Sequence, residues 1–184
     1  MPNADHSPPS PAEPQAQMRG TDQRSCPFCQ IIASLADQGV CIPVTERFVT
    51  FPAKHQRPGN RGHMLLVPVG HRTTMQELSP YEELELVNAW NAVGAAVRDA
   101  TGATGITIRM NLGPPGQDVA HLHLHVIPRH PENAFAHTAS RELSLAERLA
   151  IADQVRAHLV ADVRPQRTIT EASPSSTSSP GSDA

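Results

Sequence analysis

The most regular hydrophobic patterning in the chain runs from residue 120 to 128, where imidazole and aliphatic side chains alternate strictly and the run stops at Pro128. A period of two is the signature of a β-strand. Residues two apart share a face, so His121, His123 and His125 are predicted to line one surface while Leu122, Leu124 and Val126 enter a core. At about 3.3 Å of rise per residue the outer two histidines stand roughly 13 Å apart, and a single tetrahedral reacting centre meets the middle one directly. His123 is therefore the predicted attacker or principal ligand, with His121 and His125 beside it. A solvated, histidine-rich strand face is the bland alternative, and strict alternation backed by aliphatics argues against it.

Other stretches carry the same kind of signal. Residues 42–45 and 48–51 are β-rich and are divided by the polar pair Glu46 and Arg47, which predicts a hairpin or two successive strands. Residues 53–62, with Pro58, Gly59 and Gly62, read as loop. Residues 63–67 form a predicted buried strand ending at Pro68, with His63 at its start and His71 just past its end. Residues 106–111 alternate again.

Helical signals occur at three places. Ser25 and Pro27 introduce a short helix, with Ser25 as the expected cap. Ser79 to Glu82 is a capping box with proline at the first helical position, and Leu86, Trp90, Val93 and Val97 form the stripe of a helix closed by Gly102. That stripe predicts core or a dimer contact. Ser144 to Glu147 is a second capping box, opening a helix with Leu145, Leu149, Ala152, Val155 and Leu159 on one side. Residues 129–139 read as loop.

Composition divides the 184 residues into a domain and two tails. Residues 1–24 and 164–184 are rich in Pro, Ser, Ala and Thr and poor in large apolar side chains, so neither buries enough surface to offset its own ordering entropy. Residues 25–163 remain as one domain with one hydrophobic centre. A net charge of -3, without basic blocks or acidic runs, argues against a nucleic-acid or membrane partner and favours a small-molecule ligand. The longest apolar run, residues 64–69, is far too short to span a bilayer, and the N-terminus has no signal-like segment. Three cysteines, an odd number, fit a reducing compartment, and the expected location is the cytoplasm.

Cys26 and Cys29 have the spacing of half a tetrahedral zinc site. A redox dithiol needs an apolar strand upstream, where residues 19–24 are polar; two unrelated buried cysteines are the third reading. Residues 112–118 form a glycine-bearing loop between two strands, able to aim backbone N–H groups at an anion, although Pro114 and Pro115 remove two donors.

Three segments, residues 26–32, 62–71 and 121–129, in this order and spacing, resemble the histidine triad (HIT) superfamily of nucleotide hydrolases and transferases, over roughly residues 25 to 130. The resemblance implies an α+β domain with an antiparallel sheet of about five strands, usually a homodimer. It implies cleavage at the α-phosphorus of nucleoside phosphoramidates or dinucleoside polyphosphates, through a nucleotidyl-histidine intermediate on His123. His125 then contacts phosphate oxygens and His63 helps hold the nucleophile. Asn111 matches the family's polar residue ending the preceding strand; Gly116, Gln117 and Asp118 belong to the phosphate loop, and Phe51 is placed to stack on a base. The resemblance to the zinc-bearing branch implies a structural zinc on Cys26, Cys29, His71 and His121, with no catalytic metal.

The chain departs from the family pattern at three points. Asp118 stands where Ser or Thr is common, the loop before the triad is about one residue short, and Ala53 occupies the place of an acid that binds ribose hydroxyls. These departures motivate a second reading, a nucleotide-binding or protein-interaction module with weak or lost catalysis. A third reading, a catalytic metal centre on the triad, lacks an acidic ligand in the histidine-rich segment.

Overall fold

The computed structural model describes residues 22–35, 39–133 and 139–159. The expected tails at 1–24 and 164–184 lie outside the described residues, apart from Asp22 to Arg24, as do residues 160–163 of the expected domain.

The chain is built in the order α1 (Pro27–Leu35), β1 (Ile42–Pro43), β2 (Phe48–Pro52), β3 (His55–Gln56), β4 (Met64–Pro68), α2 (Pro80–Thr101), β5 (Gly105–Met110), β6 (Leu124–Arg129), β7 (Arg141–Glu142) and α3 (Leu145–Leu159). Five strands form one antiparallel sheet in the order β1-β2-β4-β6-β5, as expected of an α+β domain. β3 and β7 pair separately; the loop expected over 53–62 thus contains a short strand, and the segment after β6 supplies its partner.

Strand alternation gives the sheet two different faces. On one face Phe48, Met64, Leu66, Leu124 and Val126 pack against Leu86, Ala89, Val93 and Val97 of α2 and Ile151, Ala152 and Val155 of α3. On the other, Val49, Phe51, Leu65 and Val67 pack against Phe28, Ile31 and Ile32 of α1.

The helix ends follow local chemistry. Ser79 and Glu82 cap α2 reciprocally, and Gly102 closes it in the left-handed conformation. The second capping box is also formed, with the Ser144 hydroxyl accepting from the Glu147 amide at 3.3 Å. In α3, Leu145 is 47% exposed because it sits in the first turn, before the helix reaches α2; Leu149 turns to the α1 side instead. Ser25 does not cap α1: its hydroxyl donates to Asp22 at 2.8 Å, and the Cys26 carbonyl accepts the first helical bond from Gln30. Gly62, at φ +100, lies where an added Cβ would stand 2.5 Å from a Thr101 methyl, so β4 can begin against the end of α2 only with glycine there. Among the described residues, no helix is long and apolar enough to cross a membrane.

Candidate active site and metal centre

The histidines lie on the α1 face. Pairing in β6 begins at Leu124, where regular strand was expected from His121. Pro68 explains the difference. β4 ends there, with no N–H to continue a ladder, and its carbonyl oxygen accepts from Nε2 of His121 at 3.0 Å. The Leu122 amide donates instead to the Arg72 carbonyl at 2.6 Å. The alternation survives the loss of pairing: Leu122, Leu124 and Val126 are buried toward α2, while His121 and His123 are buried, and His125 half-buried, on the opposite side.

His123 has a defined tautomer. Its Nδ1 lies 2.8 Å from the His121 carbonyl oxygen, which can only accept, so Nδ1 carries the proton and Nε2 keeps its lone pair. Burial lowers the pKa of His123, opposed by that hydrogen bond and by the negative charge of Asp118. A neutral imidazole with a free Nε2 is the form that attacks an electrophile.

His125 and His63 form a pair, with Nδ1 of His125 3.0 Å from Nε2 of His63. Burial first, then the neighbouring His63, His123 and Arg109, pushes His125 down to about 3. Burial, followed by Arg109 and Arg129, pushes His63 down to about 4. Both are neutral near pH 7, so one nitrogen of the contact donates and the other accepts. Nε2 of His125 is buried without a protein partner. His123 and His125 rings stand 5.1 Å apart, so the free Nε2 atoms belong to one site.

The remaining predicted contacts divide. Asn111 donates to the Gly116 carbonyl at 2.9 Å and closes the loop before the triad. Gln117 is buried, and both ends of its amide are engaged: it accepts from the Gly113 amide at 2.8 Å and donates to the Thr73 carbonyl at 3.0 Å. Its side chain shapes the loop and is closed to a ligand in this conformation. Asp118 is exposed. Phe51 is only 1% exposed and packs edge-on to Phe28, 5.7 Å between centroids, so the ring expected to stack on a base is covered.

Two residues beside the triad have no place in the sequence reading. Phe28 sets its ring edge-on to His123 at 5.1 Å. Arg109 pairs in register with His125 and shares its face of the sheet. Its signal was present, as a charged residue inside the alternating run 106–111, but the partner strand and register were needed to place it.

Cys26, Cys29, His71 and His121 converge at the start of α1, with their ligand atoms all within 4.8 Å of one another. Cys26 Sγ is 3.3 Å and Cys29 Sγ 3.5 Å from Nδ1 of His121, and Cys29 Sγ is 3.4 Å from Nδ1 of His71. Sulfur and nitrogen ligands around a tetrahedral zinc stand roughly 3.5 Å apart, so this spacing suits the ion. Nε2 of His121 donates to Pro68, which leaves the Nδ1 lone pair facing the thiols, as a metal ligand requires. Burial, then the adjacent Cys26, pushes the Cys29 thiol up to about 11; two thiolates side by side call for a cation.

A half-buried pair of imidazoles, a neighbouring histidine whose Nδ1 is held by a backbone carbonyl, a cluster of two cysteines and two histidines, and a five-stranded sheet with α1 across it define a histidine-triad domain. The HIT domain family model matches residues 44–132. A HIT-like protein from Saccharolobus solfataricus is 36% identical over 104 residues, 56% of this chain and 73% of that one. The chain belongs to the HIT family. A protein of Arabidopsis thaliana named adenylylsulfatase HINT3 is 29% identical over 110 residues, 59% of this chain and 54% of that protein, so the match spans about half of the relative's length. The structure is also similar to that of a zinc-bound histidine triad family protein from Mycobacterium smegmatis, with a TM-score of 0.62 and 27% identity over 76% of this chain and 96% of that one.

Proposed function

We propose that the protein is a HIT-type nucleotide hydrolase or nucleotidyl transferase, acting at the α-phosphorus of nucleoside phosphoramidates, dinucleoside polyphosphates or related nucleotidyl compounds. The observation that carries this reading is the hydrogen bond from Nδ1 of His123 to the His121 carbonyl, because it commits the lone pair of Nε2 to attack. That lone pair forms a P–N bond, the bond to the leaving group breaks with its electron pair, and a nucleotidyl-histidine results. Water, or another acceptor, then takes the nucleotidyl group and returns neutral imidazole. With His63 donating to Nδ1 of His125, Nε2 of His125 carries a proton toward the phosphate oxygens, and its lack of a protein partner supports that role. Substrate contacts are assigned to Asn111, Gly116, Gln117 and Asp118 through the loop they form; Phe51, which is covered, supports Phe28 beside His123.

Zinc on Cys26, Cys29, His71 and His121 is part of the same proposal; when bound, it ties α1 to the sheet and leaves the reaction to the imidazoles. The odd number of cysteines supports a reducing, cytoplasmic setting. Exposed Leu84 and Val87 on α2 and Ile108 on the edge strand β5 support a homodimer. The experiment is a hydrolysis panel of nucleoside phosphoramidates and dinucleoside polyphosphates with zinc measured on the same sample. His123→Ala should abolish nucleoside monophosphate release; unchanged turnover would remove the mechanism.

Asp118 favours a second reading, a nucleotide-binding module with weak catalysis, because a carboxylate beside the triad repels a phosphate. Calorimetry showing tight nucleotide binding without product over hours, together with a rise in activity in Asp118→Ser, would favour it.

A further inference from the structure

The cation beside the triad carries a consequence for the choice of substrate. Arg109 lies in β5 directly opposite His125 in β6, and the same row of the sheet continues through Leu65 to Phe51. Side chains of directly opposed residues leave the sheet about 5 Å apart on the same face, so the arginine rises alongside the imidazole that faces the phosphate. Among the described residues, the side chain of Arg109 forms no hydrogen bond or ion pair, and it is exposed at the rim of the site. Its neighbour two residues back, Thr107, accepts from Nε of Arg129 at 2.9 Å, so that second arginine is held along the strand. The charge of Arg109 is felt inside the site: it is among the groups that keep His63 and His125 neutral. The site therefore has a cationic edge beside His125. Asp118 is an exposed carboxylate in the loop that leads into the triad.

We propose that Arg109 binds the leaving group and is a specificity-determining residue, directing the site toward nucleotidyl anhydrides whose leaving group is a phosphate or sulfate anion, over phosphoramidates whose leaving group is an amine. This rests on the hydrolase reading above. When Nε2 of His123 bonds to the α-phosphorus, the bridging P–O bond of an anhydride breaks and its electron pair stays on the departing oxygen. A polyphosphate or sulfate is stable as that anion and takes up no proton. A guanidinium offers it paired N–H donors together with full charge. A departing amine needs a proton and carries no negative charge, so Arg109 gives it nothing. The extra negative charge of such a leaving group is met by the Arg109 guanidinium, which a neutral or cationic amine would not need.

The test compares kcat/KM for adenosine 5'-phosphosulfate and a diadenosine polyphosphate with that for adenosine 5'-phosphoramidate, in wild type, Arg109→Gln and Arg109→Lys. Arg109→Gln should lower the anhydride-to-phosphoramidate ratio on the order of 30-fold, as loss of a charge-assisted contact to a developing anion does, and Arg109→Lys should recover part of it. Inhibition by inorganic tripolyphosphate should weaken in parallel. The wild-type ratio should fall as salt is raised, since the guanidinium is exposed. An unchanged ratio in Arg109→Gln, with turnover that still requires His123, overturns the role of Arg109 and leaves the hydrolase reading standing. Absence of His123-dependent turnover of every substrate overturns both.

Discussion

The two faces of the sheet are made from the same strands and do opposite work. Toward α2 and α3, Phe48, Met64, Leu66, Leu122, Leu124 and Val126 form a fully buried core, and the one polar residue among the strand positions of that face, Thr50, donates its hydroxyl to the Leu65 carbonyl. Toward α1 the same strands present Val49, Phe51, Leu65 and Val67, and then the apolar surface gives way to His123, His125 and the Cys26, Cys29, His71 and His121 cluster. The first face needs only volume and hydrophobicity, so it holds the fold. The second keeps imidazoles buried and neutral, which weakens it as a core and makes it chemically competent. A substitution on one face should therefore damage stability, and on the other function.

The largest separation is expected at adjacent positions of one segment. His123→Ala should lower nucleotide release by at least about 1,000-fold, as removal of a covalent nucleophile does, while its thermal unfolding stays close to wild type. Leu124→Ala, one residue on and 1% exposed, should cost about 2–5 kcal/mol in denaturant unfolding; the protein that remains folded should keep its turnover per molecule. If both variants lost activity and stability together, the division between faces would fail.

Cys26→Ser should lose stoichiometric zinc and lower the melting temperature; zinc that persisted in it would move the metal to other residues. Acid should act through the paired imidazoles. His63 and His125 have pKa values of about 4 and about 3, below the usual value near 6.5, so between those limits the unfolded chain binds more protons than the folded one. Their contribution to stability is complete above pH 6.5 and is lost as pH falls through 4, which a series of melting curves should show as a progressive fall of several degrees. Ser79→Ala, on the α2 side and far from the chemistry, should cost about 1 kcal/mol through loss of the cap and leave turnover unaffected.

What could be read from the sequence follows the same division. Helix α2 was legible to its ends, because the capping box at Ser79 and the left-handed Gly102 are local signals. The histidine alternation named the face and singled out His123, and resemblance supplied the gathering of Cys26, Cys29, His71 and His121. Long-range pairing was not legible. β3 and β7 are two residues each, too short to show a period, and they meet across 87 positions of sequence, from His55 to its partner Glu142. Arg109 required the β5 to β6 register. The covering of Phe51 depends on where α1 comes to rest, which a pattern of apolar positions leaves open.

Pro68 can be understood as punctuation. A residue with an N–H at that position would invite β6 to pair for another step, and a regular ladder would draw the backbone at Leu122 and His123 into the rhythm of the sheet. With proline the ladder ends, and the orphaned carbonyl becomes the fixed point on which His121 is oriented. His121 in turn offers its own carbonyl to His123. The orientation of the His123 ring thus descends from a missing hydrogen atom two steps away, on Pro68.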